Sequence, residues 1–190
     1  MPSTTLEQGC YRGLRMTADE YLALGETTER YELIDGVVSM SPSPTFRHQQ
    51  VITEIASQIR NYVSLHPIGA VAVEIDVRLA DDLVYRPDVI FLSAEKAARC
   101  AERVTEVPEV VVEVVSPDSR AYDRQTKRQD YERFGVGEYW IIDPERDSLT
   151  FLRSGEQGFV EAPVAGDAYR SDAISGFSLD LARLRALWQT

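Results

Sequence analysis

Residues 110–115 read VVVEVV, and this run, together with the segment from Ser116 to Asp143, decides the fold. A stretch with apolar side chains on both faces belongs to the middle of a sheet. Ser116-Pro117-Asp118 closes it, and SRAYDRQTKRQDYERFG, residues 119–135, reads as a polar helix stopped at Gly135. EYWIID at 138–143 is the next strand, expected at an edge or an interface. Strand, helix and strand in this order predict an α/β domain.

Working outward, LVYRPDVIFL (83–92) and AVAVEIDVRLA (70–80) read as two strands joined by a tight reversal at Asp81-Asp82. Before them Val51, Ile52, Ile55, Ile59, Tyr62 and Val63 recur at helical spacing, so 46–63 is an amphipathic helix that His66-Pro67 ends. YELIDGVVSM (31–40) is a hairpin about Asp35-Gly36, where both turn residues need positive φ. Thr17 and Glu20 have the spacing of a capping box on a short helix. Residues 1–13 are expected to form a loose arm, and 14–190 a single domain. SAEKAARCAERVTEVP, just ahead of the central run, supplies a short surface helix. Beyond Asp143, PERDS turns into LTFLR. Two or three weaker strands are expected between 158 and 175, and SLDLARLRALW closes as a helix. Hairpins mixed with the strand–helix–strand unit imply a mixed central sheet flanked by helices.

With 190 residues, 44% hydrophobic and 27% charged, the chain has the makings of one packed domain and not of a disordered tail or a rod. No apolar run is long enough to cross a bilayer. Cys10 and Cys100 are too few for a disulfide framework, and no leader is visible, so the cytoplasm is the expected location. The net charge of -11 opposes nucleic acid at long range, so a nucleic-acid partner requires a local cationic surface or a metal.

Three residues are not explained by the fold alone. Glu113 interrupts an apolar strand, where a lone carboxylate must be paired, metal-bound or on a wet edge. Asp88 follows Pro87, which cannot donate to a ladder and marks a bend or bulge. Lys127 shares one side of its helix with Asp123, Tyr131 and Phe134, so it is either held near the sheet or an ordinary partner of Asp123. Residues 120–133 carry five basic side chains against three acidic ones, a cationic patch that includes Arg120, Arg124 and Arg128. Glu32 and Glu74 lie in strand-like runs, where solvent or a local pair is the simpler use. His48, near the start of the long helix, is a capping or core residue unless it faces a site. Two carboxylates in separate strands suit Mg²⁺ or Mn²⁺ rather than zinc. No phosphate-binding glycine loop and no dinucleotide fingerprint is present.

YELIDGVV, SPSPTFRHQQVI, YRPDVIF, PEVVVEVVSPDSR and KRQDYERFGVGEYWIIDP together resemble the Uma2 family of restriction-endonuclease-like proteins, within the PD-(D/E)xK nuclease superfamily. The likeness runs from about Thr17 to Phe151. It implies a restriction-endonuclease-like α/β fold, DNA as substrate and partner, and Mg²⁺ as cofactor with Mn²⁺ as a substitute. It further implies Asp88 and Glu113 as catalytic metal ligands and Lys127 as the catalytic lysine, moved to the helix because Val115 stands where the superfamily pattern has lysine. Tyr131, Glu32 and His48 take supporting places, Arg120, Arg124 and Arg128 are candidate phosphate contacts, and a homodimer is compatible. Changing Lys127→Ala is then expected to abolish most cleavage with stability and Mn²⁺ affinity nearly intact. Two other functions compete: a silent nuclease fold acting by dimerisation or DNA binding, and a two-carboxylate glycosidase, which has no use for Lys127.

Overall fold

The computed structural model describes residues 11–25, 27, 29–41, 43–100, 103–117 and 119–189. The expected arm over 1–13 thus lies outside the described residues except for 11–13, where the Gly13 N–H donates to the Val38 carbonyl (2.8 Å). In chain order the first elements are α1 (Ala18–Leu22), β1 (Tyr31–Ile34), β2 (Val37–Met40) and α2 (Phe46–Leu65). Then come β3 (Gly69–Val73), β4 (Val77–Ala80), β5 (Leu83–Tyr85), β6 (Val89–Ser93) and α3 (Ala94–Arg99). β7 (Val110–Val114) leads into α4 (Arg120–Tyr122), a π turn (Asp123–Lys127) and α5 (Arg128–Arg133). β8 (Glu138–Asp143), β9 (Ser148–Gly155), β10 (Gly158–Glu161), β11 (Ala168–Arg170), β12 (Ser178–Asp180) and α6 (Leu181–Arg185) complete the chain.

β7 lies inside a six-stranded sheet of order β10-β9-β8-β7-β6-β3. It runs parallel to β8 and antiparallel to β6, so the sheet is mixed, as the sequence implies. β8 is interior and not an edge strand, because β9 pairs with it along its full length. Its side chains explain why: Trp140 and Ile142 are buried on one face, Tyr139 and Ile141 on the other. On the first face Val110, Val112 and Val114 pack with Trp140 against Ile52, Ile55 and Ile59 of α2. On the second, Val111 and Val115 lie with Tyr139 and Ile141 under Tyr131 of α5 and Tyr85 of β5.

The two long strands expected over 70–80 and 83–92 are each broken in two. β4 and β5 leave for a second sheet, of order β2-β1-β5-β4, while β3 and β6 stay in the first. The breaks have local causes. Glu74 adopts φ 49°, which ends β3, and Pro87 cannot donate between β5 and β6. The β1–β2 hairpin turns on Asp35 (φ 51°) and Gly36 (φ 71°), as its sequence requires.

The closing helix is also shorter than expected. Ser178–Asp180 pairs with β11 as β12, and the Asp180 carboxylate then caps α6 by accepting from the Arg183 N–H (3.1 Å). One buried carboxylate gathers several of the bonds that tie this C-terminal segment to the central sheet. Glu138 accepts from Trp140 Nε1 (2.8 Å), the Tyr169 hydroxyl (2.9 Å), Ser171 Oγ (3.0 Å) and the N–H groups of Asp172 (2.6 Å) and Ala173 (3.1 Å). No helix among the described residues is long and apolar enough to cross a membrane.

Candidate active site

Asp88 stands one residue before β6, where the chain leaves the small sheet for the large one. Val89 is registered with Val112, and continuing that register by one place sets Asp88 opposite Glu113. Residues facing each other across an antiparallel pair share a face. The neighbours agree, since Ile90 and Leu92 lie in the same core layer as Val111 and Val115. One Asp88 oxygen, Oδ2, accepts from the Val114 N–H (2.7 Å) and lies 3.3 Å from His48 Nε2. Oδ1 is 3.5 Å from the Arg30 guanidinium.

Glu113 is 4% exposed, and β7 is no wet edge. Its Oε1 accepts from Lys127 Nζ and from the Tyr131 hydroxyl, both at 2.9 Å. Lys127 also donates to Glu32 Oε1 (2.9 Å) and lies 3.7 Å from Asp123. Its ammonium sits over the rings of Tyr85 (5.1 Å) and Tyr122 (5.9 Å). Asp123 and Lys127 occupy the two ends of the π turn, and both are buried. Glu32 is oriented from behind by the Arg86 N–H (3.0 Å), at the break between β5 and β6.

Glu32, His48, Asp88, Glu113, Asp123 and Lys127 form the floor of an open cavity of about 870 Å³, with Tyr131 and Tyr85 buried behind them. One ammonium faces three carboxylates, so with every acid ionised the floor carries excess negative charge. Burial raises the Glu113 carboxyl well above its ordinary value; Lys127 opposes this, and the charges of Asp88, Asp123 and Glu32 reinforce it. Burial lowers Lys127, but Glu113, Glu32 and Asp123 outweigh it and hold the group well above its usual range. Burial also lowers His48, and the hydrogen bond and charge of Asp88 reverse the sign to a net rise. His48 Nδ1 is buried with no partner among the described residues.

The floor fits a divalent ion in its donor chemistry. Asp88 and Glu113 offer carboxylate oxygens on one face, in a place short of positive charge. No three His, Cys, Asp or Glu side chains among the described residues form a ready-made cage. Magnesium does not need one, since it binds through one or two carboxylates and takes its other ligands from water and phosphate.

The structure therefore brings Asp88, Glu113, Lys127, Tyr131, Glu32 and His48 together. Of the two simpler uses of its strand position, solvent or a local pair, Glu32 takes the pair, with Lys127, and is buried. The three arginines are not brought to the cavity. Arg120 is bound bidentate to Asp143 (2.6 and 3.1 Å) and to Glu145, Arg124 turns to Ser148 and Asp143, and Arg128 reaches the Phe159 carbonyl. Glu74 is half-buried against Arg30 (2.8 Å) and Gln49 (2.8 Å). Asp123 is the part of the floor that the sequence reading passes over as an i,i+4 partner. Its signal was the shared side with Lys127 and Tyr131.

A model of the Uma2 family, described as "Putative restriction endonuclease", matches residues 18–182. No curated protein matches the chain. Among solved structures, the chain is similar to one described as a putative nuclease belonging to DUF820, from Anabaena variabilis ATCC 29413. The two are 22% identical, the match covers 91% of this chain and 99% of that one, and the TM-score is 0.76. That likeness shows a shared mixed α/β fold with helices flanking its sheets.

Proposed function

The chain belongs to the Uma2 family, and on that premise we propose that it is a metal-dependent nuclease that hydrolyses phosphodiester bonds in DNA, with Mg²⁺ as its ion and Mn²⁺ as a substitute. The observation that carries this reading is Lys127. A buried ammonium, 2.9 Å from Glu113 and 2.9 Å from Glu32, is held at the floor of an open cavity beside Asp88. A core built for stability alone gains little from such a cluster, because desolvation offsets most of the attraction.

Asp88 and Glu113 would hold the ion, which when bound supplies a Lewis acid and lowers the pKa of a water molecule. The remaining work falls to this chain's own groups. The Val114 N–H and His48 fix the Asp88 carboxylate, and Tyr131 fixes that of Glu113. Lys127 stabilises negative charge as it builds on the phosphate oxygens. The ring of acids around it keeps it protonated for that role.

The test is cleavage of DNA, offered both as single strands and as plasmid, by purified protein in Mg²⁺, Mn²⁺ or EDTA. Cleavage is expected with either ion and absent in EDTA. Glu113→Gln and Lys127→Ala, each checked for folding by circular dichroism, should lower the rate by about 100-fold or more. A folded wild type that cuts no nucleic acid with any ion would overturn the proposal in favour of a silent nuclease fold.

A further inference from the structure

The mouth of the cavity is built unlike its floor. The first turn of α2 contributes Phe46 and Arg47 to it, with Met40 of β2 on the same rim. Phe46 is 79% exposed and Met40 39%. Left in water, the phenyl ring contributes nothing to the core, although it is the largest apolar group the rim has to offer.

Four cationic side chains line the cavity: Arg30, Arg47, Arg86 and Lys127. Arg30 is tied to Glu74 (2.8 Å), Arg86 to Asp76 (2.7 Å) and Lys127 to Glu113 and Glu32. Arg47 is exposed, and no carboxylate among the described residues pairs with it. Among the described residues, the mouth therefore offers one free cation, in a chain whose net charge is -11.

A surface that grips duplex DNA neutralises several phosphates at once and reads grooves, whereas here there is a single guanidinium. One cation beside one exposed ring is what holds a single strand, with phosphate on the cation and a base on the ring. In a duplex both faces of each base are already stacked, so no base is free to lie on Phe46. We propose that the cavity takes its nucleic acid as an unpaired strand, with a base stacked on Phe46 and a neighbouring phosphate on Arg47, so that the backbone runs inward to Asp88, Glu113 and Lys127. The inference rests on the nuclease reading above and names its substrate class.

The experiment is fluorescence anisotropy with labelled oligo(dT) of about 15 nucleotides and its duplex with oligo(dA), in Ca²⁺ to hold the site without cleavage. The single strand is expected to bind at least about tenfold more tightly than the duplex, and Phe46→Ala to weaken it about tenfold while Phe46→Trp does not. Arg47→Ala should make the slope of log affinity against log salt shallower by about 0.7, the contribution of one phosphate on a single strand. Both residues are exposed, so the variants are expected to fold, and circular dichroism checks this. Duplex binding as tight as that of the single strand, or single-strand binding indifferent to both substitutions, would overturn the proposal. If duplex is then still cut in a manner that Glu113→Gln abolishes, the nuclease reading stands and only the strand preference falls. Wild type that neither binds nor cuts either form removes both.

Discussion

Lys127 is charged because of its surroundings and also holds those surroundings together. Removing its ammonium leaves Glu113, Glu32 and Asp123 facing one another in a buried place. This revises the sequence-based expectation that Lys127→Ala leaves stability nearly intact. The substitution should cost about 3 kcal/mol at neutral pH in EDTA, by urea denaturation. The loss should shrink as Glu113 and Asp123, both raised by burial, take up protons at lower pH, or when Mn²⁺ is added. An unchanged stability would mean that the acids are already neutral. Glu113 makes a second prediction. Its carboxyl is raised by burial and by Asp88, Asp123 and Glu32, against the pull of Lys127, so at low pH it holds a proton that an ion must displace. Mn²⁺ affinity should therefore climb with pH, with its midpoint above the ordinary 4.5, and Glu113→Gln should flatten the climb. Titration calorimetry from about pH 5 to 7.5 measures both. Asp88, Glu113 and Lys127 were legible because each breaks a pattern: an acid in an apolar strand, an acid after a strand proline, a lysine on an inward helix side. Glu32 was legible only as an acid in a strand-like run, because alternation tells which residues share a face and not which face is covered. Phe46 carried a signal that the helical reading left unused: it lies half a turn from Ile55, opposite the buried side of α2.

Among the elements, hairpins and helices with end signals were legible, and the broken strands were not. An apolar run that crosses from one sheet to another keeps its periodicity through the crossing. Only Pro87 and the charges around Glu74 and Asp76 mark the places. The π turn was invisible too, since one extra residue in a polar helix leaves its composition unchanged. It nevertheless sets the floor of the cavity by burying Asp123 and Lys127 together. Such turns recur at functional sites. Deleting Gln125, an exposed residue within it, should restore ordinary helical spacing and rotate the residues on one side by about 100° relative to those on the other. Asp123 and Tyr122 would then leave Lys127. Cleavage is expected to fall at least about 100-fold with far-ultraviolet circular dichroism retained. Wild-type activity after the deletion would show that the turn is incidental.

For the molecule as a whole, the mixed sheet and its flanking helices could be read from VVVEVV and the helix and strand after it, whereas the distribution of charge could not. Of the basic patch on 120–133, Arg120 is bound to Asp143 and Lys127 is buried in the floor, while Arg128 and Arg133 are exposed outside the cavity lining, so these arginines do not relieve the net charge of -11 at the cavity. If one strand is held at a time, one copy of the chain is sufficient, and the homodimer that the sequence leaves open is not required for cleavage. Sedimentation across a concentration series, compared with specific activity, tests this; activity that appears only with the dimer would argue for paired sites. The central sheet and the C-terminal segment meet at Glu138, whose carboxylate is buried in β8 and takes its partners from Tyr169, Ser171, Asp172 and Ala173. Glu138→Ala should cost about 3–5 kcal/mol, measured by urea denaturation, since those donors lose their acceptor together. The same carboxylate sets a schedule for translation. Every residue of the cavity floor has been synthesised once Tyr131 is added, yet Glu138 lacks most of its donors until residues 169–173 have left the ribosome. A nascent chain therefore carries every residue of the floor for some time before it can fix the strand beside it, so the floor is held in its final form only late in synthesis.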